Sequence, residues 1–249
     1  MTEPLSAFRS VALGTVSVIG ALLLWELVGV ADVSSALPPF HNVALAFVDL
    51  LSSDAFQESV WFTLRAIAIA FPLTVAAGLI MGSLMGLVRP LRWMFDPYMT
   101  LALSVPLVAI IPILINLFGF GRLTIIAVIV VYTLPVVVVN TVAGFDSVDP
   151  DQVAMARSFG ASRLLLLRRV LLPTAAPLAA SGVRLAAGRA IKGAIVGEQI
   201  VGLVGMGGLI QRFGGAFAVE DLYAAIVFVG ILGIVVVNLL TRLERRVPA

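Results

Sequence analysis

The chain has 249 residues, of which 61% are hydrophobic and only 12% charged. Soluble domains carry about 25% charged residues, so a water-soluble globule is excluded and lipid is the expected solvent. The absence of cysteine excludes disulfides, thiolate metal sites and a cysteine nucleophile, the lone histidine, His41, leaves too little for a metal cluster, and a formal charge of +2 gives no basis for a nucleic-acid partner.

A crossing helix needs about 20 apolar residues. Segment 11–31 meets this, with Arg9 before it and Glu26 near its far end. It reads as an uncleaved first span rather than a signal peptide, because it is long for a signal core and its removal leaves an odd number of spans. Segment 32–59 breaks at Pro38-Pro39 and then repeats Val43, Leu45, Phe47, Leu50 and Leu51 at near-helical spacing. An interfacial amphipathic helix and an ordinary connector are both open.

Segment 66–88 is an uncharged second span in which Gly78, Gly82 and Gly86 recur every four residues beside Ser83. Such a face lets two helix backbones approach closely in lipid, either within the protomer or at a subunit interface. The third span, 97–118, contains Pro106 and Pro112. Interior prolines free backbone carbonyls that neighbours or water must satisfy, which suits a pathway lining or a packing kink. Gly119-Phe120-Gly121-Arg122 forms a turn, and the fourth span, 123–145, holds Pro135 and Asn140.

Segment 146–172 is the long polar interval between spans, with Arg157, Arg163, Arg168 and Arg169. Asp149 and Asp151 suit a helix N-terminus, and Gly160 suits a helix end. The expected form is a short helix, a turn at 160–162, and a second basic helix entering the membrane at Pro173. Docking to a partner and binding of lipid headgroups are both open on composition alone.

The fifth span, 173–197, carries Arg184, Arg189 and Lys192, with Glu198 just beyond it. A cation at the bilayer centre costs about 2.5–3.5 kcal/mol on insertion scales, so these groups face a cavity or a partner. With Arg184 at zero, Lys192 falls near roughly 80°, Arg189 near 140° and Glu198 near −40°, so all four fit on about half the helix. Arg184 lies roughly 17 Å past Pro173, near mid-membrane. Two readings stand: a translocation path that attracts an anion, or internal pairing. Segment 202–215, GLVGMGGLIQRFGG, lacks phosphate-loop spacing and reads as a re-entrant or external loop; 222–241 is the sixth span.

Six spans place both termini on one side. That side holds ten arginines (Arg9, Arg89, Arg92, four in segment 146–172, and Arg242, Arg245, Arg246), against Arg65, Arg122 and Arg212 opposite. The positive-inside rule makes the termini and the long loop cytoplasmic. The expected fold is therefore an all-α integral membrane protein, one transmembrane domain over residues 1–249.

The long loop also resembles the cytoplasmic signature of ABC-importer permeases, E-A-A, three residues, G, nine residues, I-x-L-P: Ala154-Met155-Ala156, Gly160 and Val170-Leu171-Leu172-Pro173 occupy its positions. Ala154 stands where the pattern has Glu. ARSFGASR (156–163), RRVLLP (168–173) and the following PLAASGVRLAAGRA are similar to permeases of the nitrate, sulfonate and taurine branch. The resemblance implies a type I importer fold in the bacterial inner membrane, with lipid around it and no cofactor of its own. It implies a docking role for Ala156, Arg157, Ser158, Phe159, Gly160 and Ala161 on an ATP-binding subunit. It further implies a second permease protomer, most simply a homodimer, and an extracytoplasmic solute-binding protein. Arg184 and Arg189 sit where that branch also carries arginine. A small anion such as a sulfonate, nitrate or carboxylate is the expected solute. No Walker A, Gly-x-Ser-x-Gly or HExxH sequence occurs, so no catalytic residue is expected and ATP hydrolysis falls to another polypeptide. An ATP-independent channel or secondary carrier is the alternative.

Overall fold

The computed structural model describes residues 7–202 and 204–244. They form eleven α-helices and no strand: α1 (Ala7–Val30), α2 (Phe40–Leu51), α3 (Asp54–Leu87), α4 (Arg89–Ser104), α5 (Leu107–Phe118), α6 (Arg122–Asp146), α7 (Pro150–Ser158), α8 (Arg163–Leu166), α9 (Leu172–Val201), α10 (Gly205–Gly215) and α11 (Val219–Glu244). A π-helical turn, Leu167–Leu171, joins α8 to α9. Five helical segments are long and apolar enough to cross a membrane, and six if the bent pair α4–α5 counts as one span.

That pair corrects the expected kinked third span. The helices differ in direction by 107°. Pro106 disfavours helical conformation in the residue before it; Val105 (ψ 129°) and Pro106 (ψ 126°) are both extended, and two extended residues turn the chain. Segment 202–215 is a second correction. It is largely the helix α10, not a loop, although glycine disfavours helix by about 1 kcal/mol per residue relative to alanine.

The contacts divide the chain into two compact units. One comprises the described residues up to Gln57 together with Ile210–Phe228, the other Glu58–Leu209 with the described residues from Val229 on. In the first unit, Glu26 of α1 accepts the backbone N–H of His41 at 3.1 Å and meets His41 Nδ1 at 2.7 Å. This supplies an acceptor to the first turn of α2, whose N-terminal N–H groups have no partner within the helix. Trp25 donates to the Pro38 carbonyl at 3.0 Å and packs against Phe40 and Tyr223. Phe228 packs against Phe47 and Phe56.

In the second unit α6 is the central helix, with thirteen buried residues, packed along α9. Three of its polar side chains bond back within the helix: Thr133, Asn140 and Thr141 donate to the carbonyls of Ile129, Val136 and Val137 at 2.7–2.8 Å. A cluster of Ala66, Ala70, Ile125, Ile129, Ala190 and Ala194 joins α3, α6 and α9. The small residues let these helices pack closely, which matters in lipid because no hydrophobic force drives one helix onto another there. The glycine face of α3 lies on α6 of the same protomer: Cβ atoms built at Gly78, Gly82 and Gly86 fall 2.6–2.7 Å from Val137, Thr141 and Phe145. At one end of this unit Arg92 makes a bidentate pair with Asp146, at 2.6 and 2.8 Å.

Candidate functional site

The segment after α6 builds a compact polar turn. Asp149 caps α7, its carboxylate accepting the Asp151 N–H at 2.8 Å; Pro150 opens the helix, where its missing N–H is no loss. At the other end Gly160 adopts φ +78°. The Gly160 N–H reaches the Arg157 carbonyl at 2.9 Å and the Ala161 N–H the Ala156 carbonyl at 3.0 Å. This crossed pair closes the helix as a Schellman motif. Ser162 then caps α8 by accepting the Leu165 N–H at 3.3 Å.

What the motif displays is informative. Phe159 is 85% exposed and Met155 57% exposed, with Arg157, Ser158 and Gly160 also exposed and Ala156 and Ala161 half-buried. Nothing lies within 4 Å of a Cβ placed on Gly160. Two large apolar side chains held out on a polar turn with arginines beside them match the composition of a protein-binding patch. Arg157 and Ala161 of the same turn also line a cleft of about 650 Å³, with Leu87, Arg163, Leu166 and Leu171.

The four charged residues of the fifth span are not brought together. Arg184 is half-buried, its Nη2 lies 3.4 Å from Ser181 Oγ, and it borders an apolar cavity of about 520 Å³ with Ser83, Thr141 and Phe145. Arg189 places its guanidinium 5.3 Å from the centre of the Tyr132 ring, a cation–π contact. Lys192 is exposed and borders a different cleft, of about 440 Å³, with Gly188, Gly230, Gly233 and Asn238.

Glu198 is fully buried. Thr63 Oγ1 lies 2.8 and 2.9 Å from its two carboxyl oxygens, and the Gly207 N–H donates to it at 2.9 Å. Thr63 in turn accepts the Met206 N–H at 2.9 Å. The sequence marks Glu198 as a path candidate but not Thr63, a single hydroxyl inside an apolar run with no local signal to distinguish it. Among the described residues no group of three or more His, Cys, Asp or Glu is placed to hold a metal ion.

A family model described as "Binding-protein-dependent transport system inner membrane component" matches residues 74–247. The taurine transport system permease protein TauC of Escherichia coli (strain K12) is 29% identical over 250 residues, covering 98% of this chain and 90% of that protein. The riboflavin transport system permease protein RibX of Chloroflexus aurantiacus is 32% identical over 158 residues, covering 62% of this chain and 59% of that protein. Among solved structures, an inward-facing MetNI methionine ABC transporter chain superposes with a TM-score of 0.68 at 20% identity, covering 78% of this chain and 97% of that one.

Proposed function

Because the chain belongs to the family of inner membrane components of binding-protein-dependent transport systems, a multi-pass permease, we propose that it works as a homodimer whose α7–Gly160 turn seats on an ATP-binding subunit. The observation that carries this is the outward display of Phe159 and Met155 on a turn fixed by two crossed hydrogen bonds. An exposed aromatic on a rigid turn is the kind of anchor that dominates interface energy, and Phe159 fills that role here. Both termini and this turn face the cytoplasm, following the arginine asymmetry. Outer segments near Asp32, Glu220 and Asp221 receive the solute-binding protein.

The solute is a small anionic or zwitterionic organic molecule. Support comes from the cations of α9 and from the taurine permease that this chain resembles along nearly its whole length. Arg184, beside the apolar cavity near mid-membrane, is the residue assigned to the path; Lys192 is assigned to its approach, and Arg189, stacked on Tyr132, to holding α6 against α9.

The test is purification in mild detergent with the ATP-binding polypeptide, then uptake in liposomes with taurine as probe. ATP-dependent uptake is expected. Solute movement by the chain alone, without ATP, overturns the reading in favour of a channel or secondary carrier. Lys192→Met is expected to lower taurine uptake several-fold at unchanged assembly, since one cation near a path contributes on the order of 1 kcal/mol to an approaching anion at partly solvated positions. Unchanged uptake removes Lys192 from the path.

A further inference from the structure

The first turn of α10 ends on a carboxyl group. Helix N-termini leave four N–H groups without partners, and burying them unmet costs about 1–3 kcal/mol each. Here two are met from other helices: the Met206 N–H by Thr63 of α3 and the Gly207 N–H by Glu198 of α9. The acidic group also suits the positive end of the helix dipole. The glycines of this segment follow from the same geometry. Gly205 has φ +81°, and a Cβ there meets the Glu198 carboxyl; a Cβ on Gly207 meets the Ile195 carbonyl and lies 2.7 Å from the Glu198 Cβ. Only a bare backbone reaches the carboxyl.

We propose that Glu198 is a positioning residue: with Thr63 it locks the first turn of α10 to α9 and α3, so that these three pieces move as one body during transport. Its meaning in transport rests on the permease reading above; the lock itself is tested without it. The interaction is one of hydrogen-bond geometry. In Glu198→Gln the amide oxygen accepts from Gly207 and the amide N–H donates to Thr63, whose hydroxyl proton turns to the Ser59 carbonyl, already 3.1 Å away.

The chain has no cysteine, so a single Leu209→Cys, at a position 4% exposed one turn after Met206, reports access to a membrane-impermeant maleimide. Labelling is expected to be slow in the otherwise unchanged chain. It is expected to be about tenfold faster or more with Glu198→Ala or Thr63→Val, because loss of a buried partner raises local opening by that order. Glu198→Gln should stay within about threefold of the unchanged chain, since its hydrogen bonds are kept. Thr63→Val is near-isosteric and keeps the test sound if Glu198→Ala fails to fold. Protection that survives both Glu198→Ala and Thr63→Val overturns the proposal, as does Glu198→Gln labelling as fast as Glu198→Ala. In the complex with its ATPase, protection is expected to be equal with and without ATP plus vanadate; a rise on trapping makes α10 a gate and also overturns the proposal. A chain that binds no ATPase defeats the permease reading while leaving the first comparison intact.

Discussion

Replacing Gly160 with tryptophan is expected to strip the permease of its ATP-binding subunit, reducing the ATPase recovered on co-purification by about tenfold or more. Two effects act together. At φ +78° any β-carbon costs about 1–2 kcal/mol, which loosens the crossed bonds from Ala161 to Ala156 and from Gly160 to Arg157. The indole also projects from the apex of the surface proposed to meet the ATP-binding subunit, next to Phe159. Within the chain the substitution has room, as nothing lies within 4 Å, so membrane insertion and yield are expected to hold. Gly160→Asn separates the two effects, because asparagine tolerates the left-handed conformation without the bulk. It is expected to retain the ATPase. Recovery of the ATPase at unchanged stoichiometry with Gly160→Trp would remove this turn from the interface.

The second large effect is expected at Gly82. A Cβ there lies 2.6 Å from the Thr141 Cβ and 2.9 Å from the Val138 carbonyl oxygen. The carbonyl belongs to the α6 backbone and cannot rotate away, so Gly82→Leu must push α3 off α6. That separation also loosens the flanking approaches of Gly78 to Val137 and Gly86 to Phe145, each at 2.7 Å. Overpacking costs about 1–3 kcal/mol and occasionally more. With three approaches disturbed, a loss near the upper end is expected, read as a fall of roughly 6–12 °C in thermal unfolding in detergent. Gly20→Leu in α1, where a Cβ meets nothing within 4 Å, is the control and should melt with the unchanged chain. Equal melting of Gly82→Leu would mean that this close approach does not hold the two helices together.

Legibility in the sequence varied with the range of the interaction. The turn after α6 was readable because its parts are neighbours: an acid at the cap, a glycine at the close and a proline at the start of α9, all within segment 149–173. The face that the turn presents was less so, since Phe159 stands out only once the Schellman motif aims it away from the chain. The bend at Pro106 was half-read: proline marked a break, but two successive extended residues, not one kink, set the 107° change of direction. On the fifth span, angular spacing placed four charges on one half of a helix. It carried no information on what stands opposite each residue, and the structure sends Arg184, Lys192 and Glu198 to three different surroundings.

By itself, the sequence determined that the chain is a membrane protein with several apolar spans, and that its arginines are unevenly shared among the segments between them. Those properties depend on composition within a window of about 20 residues and on charge counts beside each window. Only the tertiary structure decided that the glycines of α3 serve α6 in the same protomer, that the glycine-rich segment after Val201 is a helix, and that Glu198 closes its end. Each of these is set by residues far apart in the chain, 135 positions for Thr63 with Glu198 and 143 for Thr63 with Met206. Buried polar groups take whichever partner the packing brings within hydrogen-bond reach, and no local pattern specifies that partner.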